Sequence, residues 1–314
     1  MSGNTGNLTY VLLCPSITGR EYQMTYELTN AQRTNAYVIA SINGIVMVPA
    51  VILNISVIIV MMNSNLLKTI SNIPILFLAI CDLLTSMMGQ SAYIIQIVSV
   101  PKRSSNCVIF FAAAYTGVIS VISSCMAVLV ISLERYFALF KPYFWRVHME
   151  RKYLVLIMSL TWLPGTIVCF LIFETGKKVF GIAVYTIMMI GSLIAIVIIY
   201  IKLYNLVKSM QKKTLDITTV RNQQADSGAY IQRRQARLSK FSLVVIAAFL
   251  TLNAPYSIAA LLIHTVFKRV TYIQTVQNYI HTLIFLSSLV NPIIYSWQCP
   301  EIGRKLKKLW KLEK

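Results

Sequence analysis

Charged side chains are scarce in this chain. Asp, Glu, Lys and Arg make up 12% of its 314 residues, about half the share found in a soluble domain. The shortage is uneven, because seven long stretches carry almost none, and that excludes a soluble globular protein. Other absences narrow the field further. The first 36 residues hold no signal-peptide core, since Tyr10-Val11-Leu12-Leu13 is too short, so the first apolar run is expected to direct insertion itself. No internal repeat is visible, and the inverted-repeat architecture of many transporters gains no support. The three histidines, His148, His264 and His281, lack metal-ligand spacing, and there is no nucleophile–base constellation or phosphate loop. An enzyme is therefore not expected. After Ser296 the sequence has no Ser, Thr or Tyr, which moves the expected phosphorylation sites to Thr214, Thr218, Thr219 and Ser227.

What is present is hydrocarbon-compatible sequence in membrane-length runs. Hydrophobic residues reach 57% and the mean hydropathy is +0.67. A span needs roughly 20 apolar residues, and the pattern predicts seven: Tyr37–Met62, Ile73–Val98, Val108–Leu133, Tyr153–Phe173, Phe180–Leu203, Phe241–Val266 and Tyr272–Trp297. The predicted fold is an all-α, seven-helix membrane bundle. It divides into an outer tail (1–36), the bundle (37–297) and a short amphipathic surface helix with its tail (298–314).

A formal charge of +19 suggests nucleic acid until its placement is considered. With the N-terminus outside, 21 of the 29 Lys and Arg fall on inner segments. That is the positive-inside bias. It predicts an outer N-terminus, a cytoplasmic C-terminus and attraction to anionic membrane lipids, with no role for nucleic acid. Asn7-Leu8-Thr9 is a glycosylation sequon on the outer side. Past Trp297, residues Ile302, Leu306, Leu309 and Trp310 share one helical face, away from most of the lysines, as suits a helix lying on the inner membrane surface. Cys299 beside it is a palmitoylation candidate. Cys81, Cys125 and Cys169 lie within spans and read as packing residues.

Polar residues inside the spans need partners. A mid-span carboxylate costs a few kcal/mol even on lenient insertion scales, so Asp82 is expected to face the bundle interior. Asn54, Ser124, Ser287, Ser288 and Asn291 fall at compatible depths. The cluster suits either a small cation or a structural hydrogen-bond network. Pro164, Pro255 and Pro292 each free a backbone carbonyl and predict kinks in the fourth, sixth and seventh helices.

Taken in order, the landmarks resemble the rhodopsin-like (class A) G-protein-coupled receptors over essentially the whole chain. They are Asn54, Leu78-Ala79-x-x-Asp82, Glu134-Arg135-Tyr136, Trp162, Tyr200, Phe249 with Pro255, and Asn291-Pro292-x-x-Tyr295. The resemblance implies a bundle that binds an extracellular ligand and opens its inner face to a heterotrimeric G protein. It implies that Glu134 holds Arg135 at rest and that Arg135 turns toward Tyr200 on activation. It further implies a sodium ion at Asp82 with Ser124 and Asn291. Arrestin is a further expected partner, through the hydroxyls of the third inner loop.

Departures from the family pattern sharpen the expectation. The loop after the fourth span has no cysteine, so the usual outer disulfide cannot form. Cys107 lies about one turn early for that role, and Cys14 is the other outer candidate for a bridge. Ser192 replaces a common proline. Together with the short second outer loop, these features resemble the melanocortin, lysophospholipid and cannabinoid branch. The melanocortin acidic cluster is unmatched, since Ala92, Phe110 and Ala114 stand there. Asn253 replaces a tryptophan switch, and Gln235 replaces an acid that pairs with the third-helix arginine, which predicts measurable basal activity.

The outer pocket is expected to be lined by Gln90, Tyr93, Gly117, Val118, Val121, Tyr256, Ser257, His281 and Phe285. Gly117 stands where amine receptors carry a carboxylate and Phe285 where opsins carry a lysine, so neither ligand is expected. A largely apolar pocket suits a lipid, a neutral small molecule or a short peptide. Two alternatives remain: a receptor-like scaffold or decoy that does not couple, and a seven-helix transporter. The second needs charge along a path, whereas Asp82 is the one ionisable residue in mid-membrane.

Overall fold

In a computed structural model the described residues are 8–19, 21–175, 178–220, 243–256, 258–259 and 273–311. Long apolar helices dominate: α1 (Asn30–Met62), α2 (Ile70–Ser99), α3 (Cys107–Phe140), α4 (Arg151–Glu174), α5 (Lys178–Val220), α6 (Leu243–Tyr256), α7 (Ile273–Gln298) and the short α8 (Pro300–Leu309). Six of the first seven are long and apolar enough to cross a membrane, and α6 is a shorter apolar helix within its described residues. Ile45, Val48, Ile187 and Ile198 are exposed on the flanks. Such a surface is tolerable only in lipid.

Helix starts follow local chemistry. α1 begins at Asn30, seven residues before the apolar run, because Thr29 and Gln32 form a reciprocal cap. The Gln32 N–H donates to Thr29 Oγ1 at 3.2 Å, and the Thr29 N–H donates to Gln32 Oε1 at 2.9 Å. α3 begins at Cys107 because Asn106 Oδ1 accepts the Ile109 N–H at 2.8 Å. α5 continues far beyond its apolar segment, and its 43 residues run about 65 Å at helical rise.

Two π turns interrupt the bundle, at Thr85–Gln90 in α2 and Phe170–Glu174 in α4. An extra residue per turn swings everything beyond it around the helix axis. Close approach occurs at Gly165 on α4, where a Cβ would lie 2.9 Å from the Ile119 Cα on α3. At the other end, Gly303 lets α8 pack directly against the Ser296 carbonyl at the end of α7.

The outer tail expected over residues 1–36 has its own structure. Strands β1 (Leu8–Pro15) and β2 (Glu21–Leu28) form an antiparallel hairpin in which Cys14 pairs with Tyr22 and Leu12 with Met24. Gly19 adopts the left-handed conformation, φ 79°, that closes the turn. Among the described residues the expected all-α chain thus carries one β-hairpin, at the end of the bundle where α1 begins.

Candidate functional site

At the end of α3 away from the hairpin, Glu134 and Arg135 are both buried and their side chains pair at 2.7 Å. A third residue grips them both. The Ser71 hydroxyl donates to Glu134 Oε1 at 3.0 Å, and Arg135 Nη2 donates to the Ser71 carbonyl at 3.0 Å. Ser71 sits in the 3₁₀ turn opening α2, and sequence reading had not singled it out. A serine in a polar loop carries no pattern of its own. Tyr136 stacks on Phe140 at 4.4 Å, with the Lys202 ammonium 5.8 Å from its ring centroid. Tyr200 on α5 is half-buried and lies parallel to Tyr204. Gln235 lies outside the described residues.

In mid-bundle, Asn291 Nδ2 donates to Asp82 Oδ2 at 2.9 Å, and the Ser288 side chain lies within hydrogen-bonding reach of the same carboxylate. Asn54 Nδ2 donates to the Ser288 carbonyl at 2.8 Å and to the Ala50 carbonyl at 2.9 Å. Its own Oδ1 is buried and, among the described residues, has no hydrogen-bond donor. A cluster tying α1, α2 and α7 therefore offers one carboxylate and an unsatisfied amide oxygen. Ser124 is half-buried on α3. Ser287 turns away from the cluster, its hydroxyl donating to the Ile284 carbonyl of its own helix at 2.6 Å. Pro292 is buried in α7, and Tyr295 is among the most deeply buried large side chains.

The hairpin half of the bundle holds an aromatic wall. Tyr93 stacks on His281 at 5.5 Å and tilts against Phe285 at 5.3 Å, while Tyr256 meets His281 edge-on at 4.8 Å. Gly89 faces Thr116 and Phe285, and a Cβ at Gly117 would meet nothing within 4 Å. Val118 and Val121 continue the same stretch of α3, half-buried and buried. The π turn ending at Gln90 changes what that residue does. Gln90 is buried and points at α1, where its Nε2 donates to the Asn43 carbonyl at 2.9 Å and to Asn43 Oδ1 at 3.2 Å. It ties helices together while Gly89 takes the facing position. Asn43 also donates to Thr282 on α7 at 2.9 Å. Asn253 is buried and donates to the Phe249 carbonyl at 3.0 Å. Ser257 and Asn7 lie outside the described residues.

Cys14 in β1 is disulfide-bonded to Cys107, the first residue of α3, with Cα atoms 5.2 Å apart. Cys299, between α7 and α8, is half-buried, and burial pushes its thiol up to about 11.

The profile of the seven-transmembrane receptor (rhodopsin) family matches residues 53–178 and 164–295, most of the chain. The chain belongs to the rhodopsin family of seven-transmembrane receptors. Like its relatives it is a multi-pass membrane protein, and members of this family are receptors and not enzymes. The human neuromedin-U receptor 2 is 25% identical over 283 residues, covering 80% of this receptor and 66% of that protein's length. This receptor thus spans just under two-thirds of that relative. The squid rhodopsin crystal structure superposes with a TM-score of 0.71 at 20% identity, over 89% of this receptor and 86% of that chain. At that identity the likeness speaks for the fold. The inner pair, the mid-bundle cluster and the aromatic wall all lie on helices within the matched region.

Proposed function

We propose that this receptor transduces binding of an extracellular ligand into activation of a heterotrimeric G protein. The observation that carries the reading is the buried Glu134–Arg135 pair at the end of α3, gripped by Ser71. A buried ion pair is weak evidence for stability, because desolvation offsets most of the Coulomb gain. It suits a two-state element, in which Arg135 is restrained at rest and freed toward Tyr200 and the G protein when the inner face opens. Asn291, Pro292 and Tyr295 form the α7 part of the same switch. The N-terminus lies outside and the basic segments face the cytoplasm, where α8 rests on anionic lipid.

The ligand reading follows from the aromatic wall. Tyr93, Tyr256, His281 and Phe285 beside the open face of Gly117 suit a lipid, a neutral small molecule or a short peptide. The mid-bundle cluster fits a sodium ion in its donor set. Asp82 supplies the single charge of the cluster, and Asn54 Oδ1 is a buried acceptor with no donor among the described residues. Asp82, Asn54, Ser124, Ser288 and Asn291 are the residues that would hold the ion, and bound sodium would favour the resting arrangement.

The test is G-protein activation in cells expressing the receptor, over a panel of lipids, peptides and neutral small molecules, with Arg135→Ala as control. A response lost in Arg135→Ala supports coupling. No response above that of cells lacking the receptor, across the whole panel, favours the non-coupling scaffold. Arrestin engagement through Thr214, Thr218, Thr219 and Ser227 is tested by replacing all four with Ala, which abolishes recruitment if the proposal holds.

A further inference from the structure

The hairpin end carries a construction that the inner switch does not use. Two fastenings converge on the β1–β2 turn. Cys14 is bridged to Cys107 at the start of α3. Four residues on, the Thr18 N–H donates to Glu174 Oε2 at 2.9 Å, and Thr18 Oγ1 donates to the Glu174 carbonyl at 3.1 Å. Glu174 is the last residue of α4, placed there by the π turn Phe170–Glu174. Its other carboxylate oxygen takes the Tyr115 hydroxyl from α3. Glu174 is 5% exposed, and among the described residues its charge is met by hydrogen bonds and by no ion pair. A buried carboxylate so held is costly to leave without donors, so it makes a strong seat for the turn.

The other end of the hairpin runs through Leu28 into the Thr29 cap of α1. The ribbon therefore reaches from α1 to α3 and α4, and an eight-residue strand covers about 26 Å. Along β1 the pleat alternates. Cys14 is buried and Leu12 half-buried, while Val11 and Leu13 are exposed. One face lies on the bundle, and it lies at the end where the aromatic wall and Gly117 sit. The α4–α5 connection is only a few residues long, which leaves it too little chain to cover the bundle.

We propose that the hairpin is a lid over the ligand pocket, hinged where Leu28 joins the Thr29 cap of α1 and latched at its turn by the Cys14–Cys107 bridge and by Thr18 on Glu174. The proposal rests on the receptor reading for what the pocket binds, but not for its test. A Cβ at Gly117 enters open space, so Gly117→Cys places a reporter thiol in the pocket. The native thiols Cys81, Cys125 and Cys169 are buried, and Cys299 is at the opposite end. Intact cells expressing Gly117→Cys are treated with a biotinylated, membrane-impermeant methanethiosulfonate, and the labelling rate is measured. Adding Glu174→Gln is expected to speed labelling about tenfold, the effect on an opening equilibrium of losing one charge-assisted hydrogen bond, and the pair Cys14→Ser and Cys107→Ser, which cuts the covalent fastening, is expected to speed it as well. Brief treatment of the folded Gly117→Cys receptor with a reductant, removed before labelling, gives the same acceleration at position 117, read on its own peptide by mass spectrometry because the freed Cys14 and Cys107 thiols label as well. Equal rates in all forms overturn the lid. Ala31→Cys, exposed at the start of α1, reports sidedness. If it labels while the pocket rates are equal, the lid alone fails. If it does not label, the outer placement of the hairpin fails with it.

Discussion

Arg135 donates its Nη2 to the main-chain carbonyl of Ser71 at 3.0 Å, while the Ser71 hydroxyl donates to the partner of that arginine, Glu134. One residue at the mouth of α2 therefore touches both members of the inner pair. With Gln235 in place of the expected acid, the sequence leaves Arg135 restrained mainly by Glu134. The structure supplies a second restraint, from Ser71.

Ser71→Ala removes the hydroxyl bond to Glu134 and keeps the main-chain bond to Arg135. A hydrogen bond to a buried charged group is worth about 1.5 kcal/mol or more, roughly a tenfold change in a two-state equilibrium. Ligand-free G-protein activation by Ser71→Ala is expected to exceed that of the unsubstituted receptor several-fold, at equal surface expression. Identical basal signalling would show that Ser71 is a bystander.

Asp82→Asn removes the charge that a sodium ion needs and preserves a side chain of the same shape. Thermal unfolding in detergent is expected at a higher temperature in sodium than in potassium for the unsubstituted receptor. Sodium at ten times its dissociation constant contributes about 1.4 kcal/mol, a shift of a few degrees. The difference between the two salts should vanish in Asp82→Asn. A shift that survives the substitution removes Asp82 from the ion's donor set.

Gly165→Ala puts a methyl 2.9 Å from the backbone of Ile119. Backbone cannot swing aside as a side chain does, so α3 and α4 must separate. Overpacking of this kind costs about 1–3 kcal/mol, read as a lower thermal midpoint. Gly117→Ala, which meets nothing within 4 Å, is the control and should unfold close to the unsubstituted protein.

The Cys299 thiol, raised to about 11 by burial beside the end of α7, is a poor nucleophile at neutral pH, because the thiolate is the reacting species. Below that value each pH unit multiplies the thiolate by about ten. Alkylation of Cys299 in opened membranes should accelerate accordingly from pH 7 to 9, and acylation at this position should be sparse in cells. Alkylation that levels off by pH 9, as for an ordinary thiol of pKa about 8.5, or a stoichiometric acyl chain found by mass spectrometry, would show the thiol to be free.

The legible parts of this protein are those that repeat a physical requirement along the chain. Membrane length and the need to seat Asp82, Asn54 and Asn291 away from lipid put the spans and the polar cluster in the sequence. Span limits drifted where capping won over hydropathy, as at Asn30, where Thr29 and Gln32 start α1 outside the apolar run. Gln90 was read as facing the pocket at ordinary helical spacing. The π turn at Thr85–Gln90 breaks that spacing, so Gly89 faces α3 and α7 while Gln90 reaches α1. No composition signal marks an extra residue in a turn.

By itself the sequence determined a seven-helix membrane bundle, its family and the residues of the inner pair, because each follows from hydropathy or from motifs local in the chain. Only the tertiary structure decided that Ser71 grips that pair, that Asn54 leaves an oxygen without a donor, and that residues 8–28 form a hairpin seated on Glu174. Those facts join residues far apart in the chain, such as Thr18 with Glu174 and Ser71 with Glu134. Partners at such separations meet only after the helices have packed.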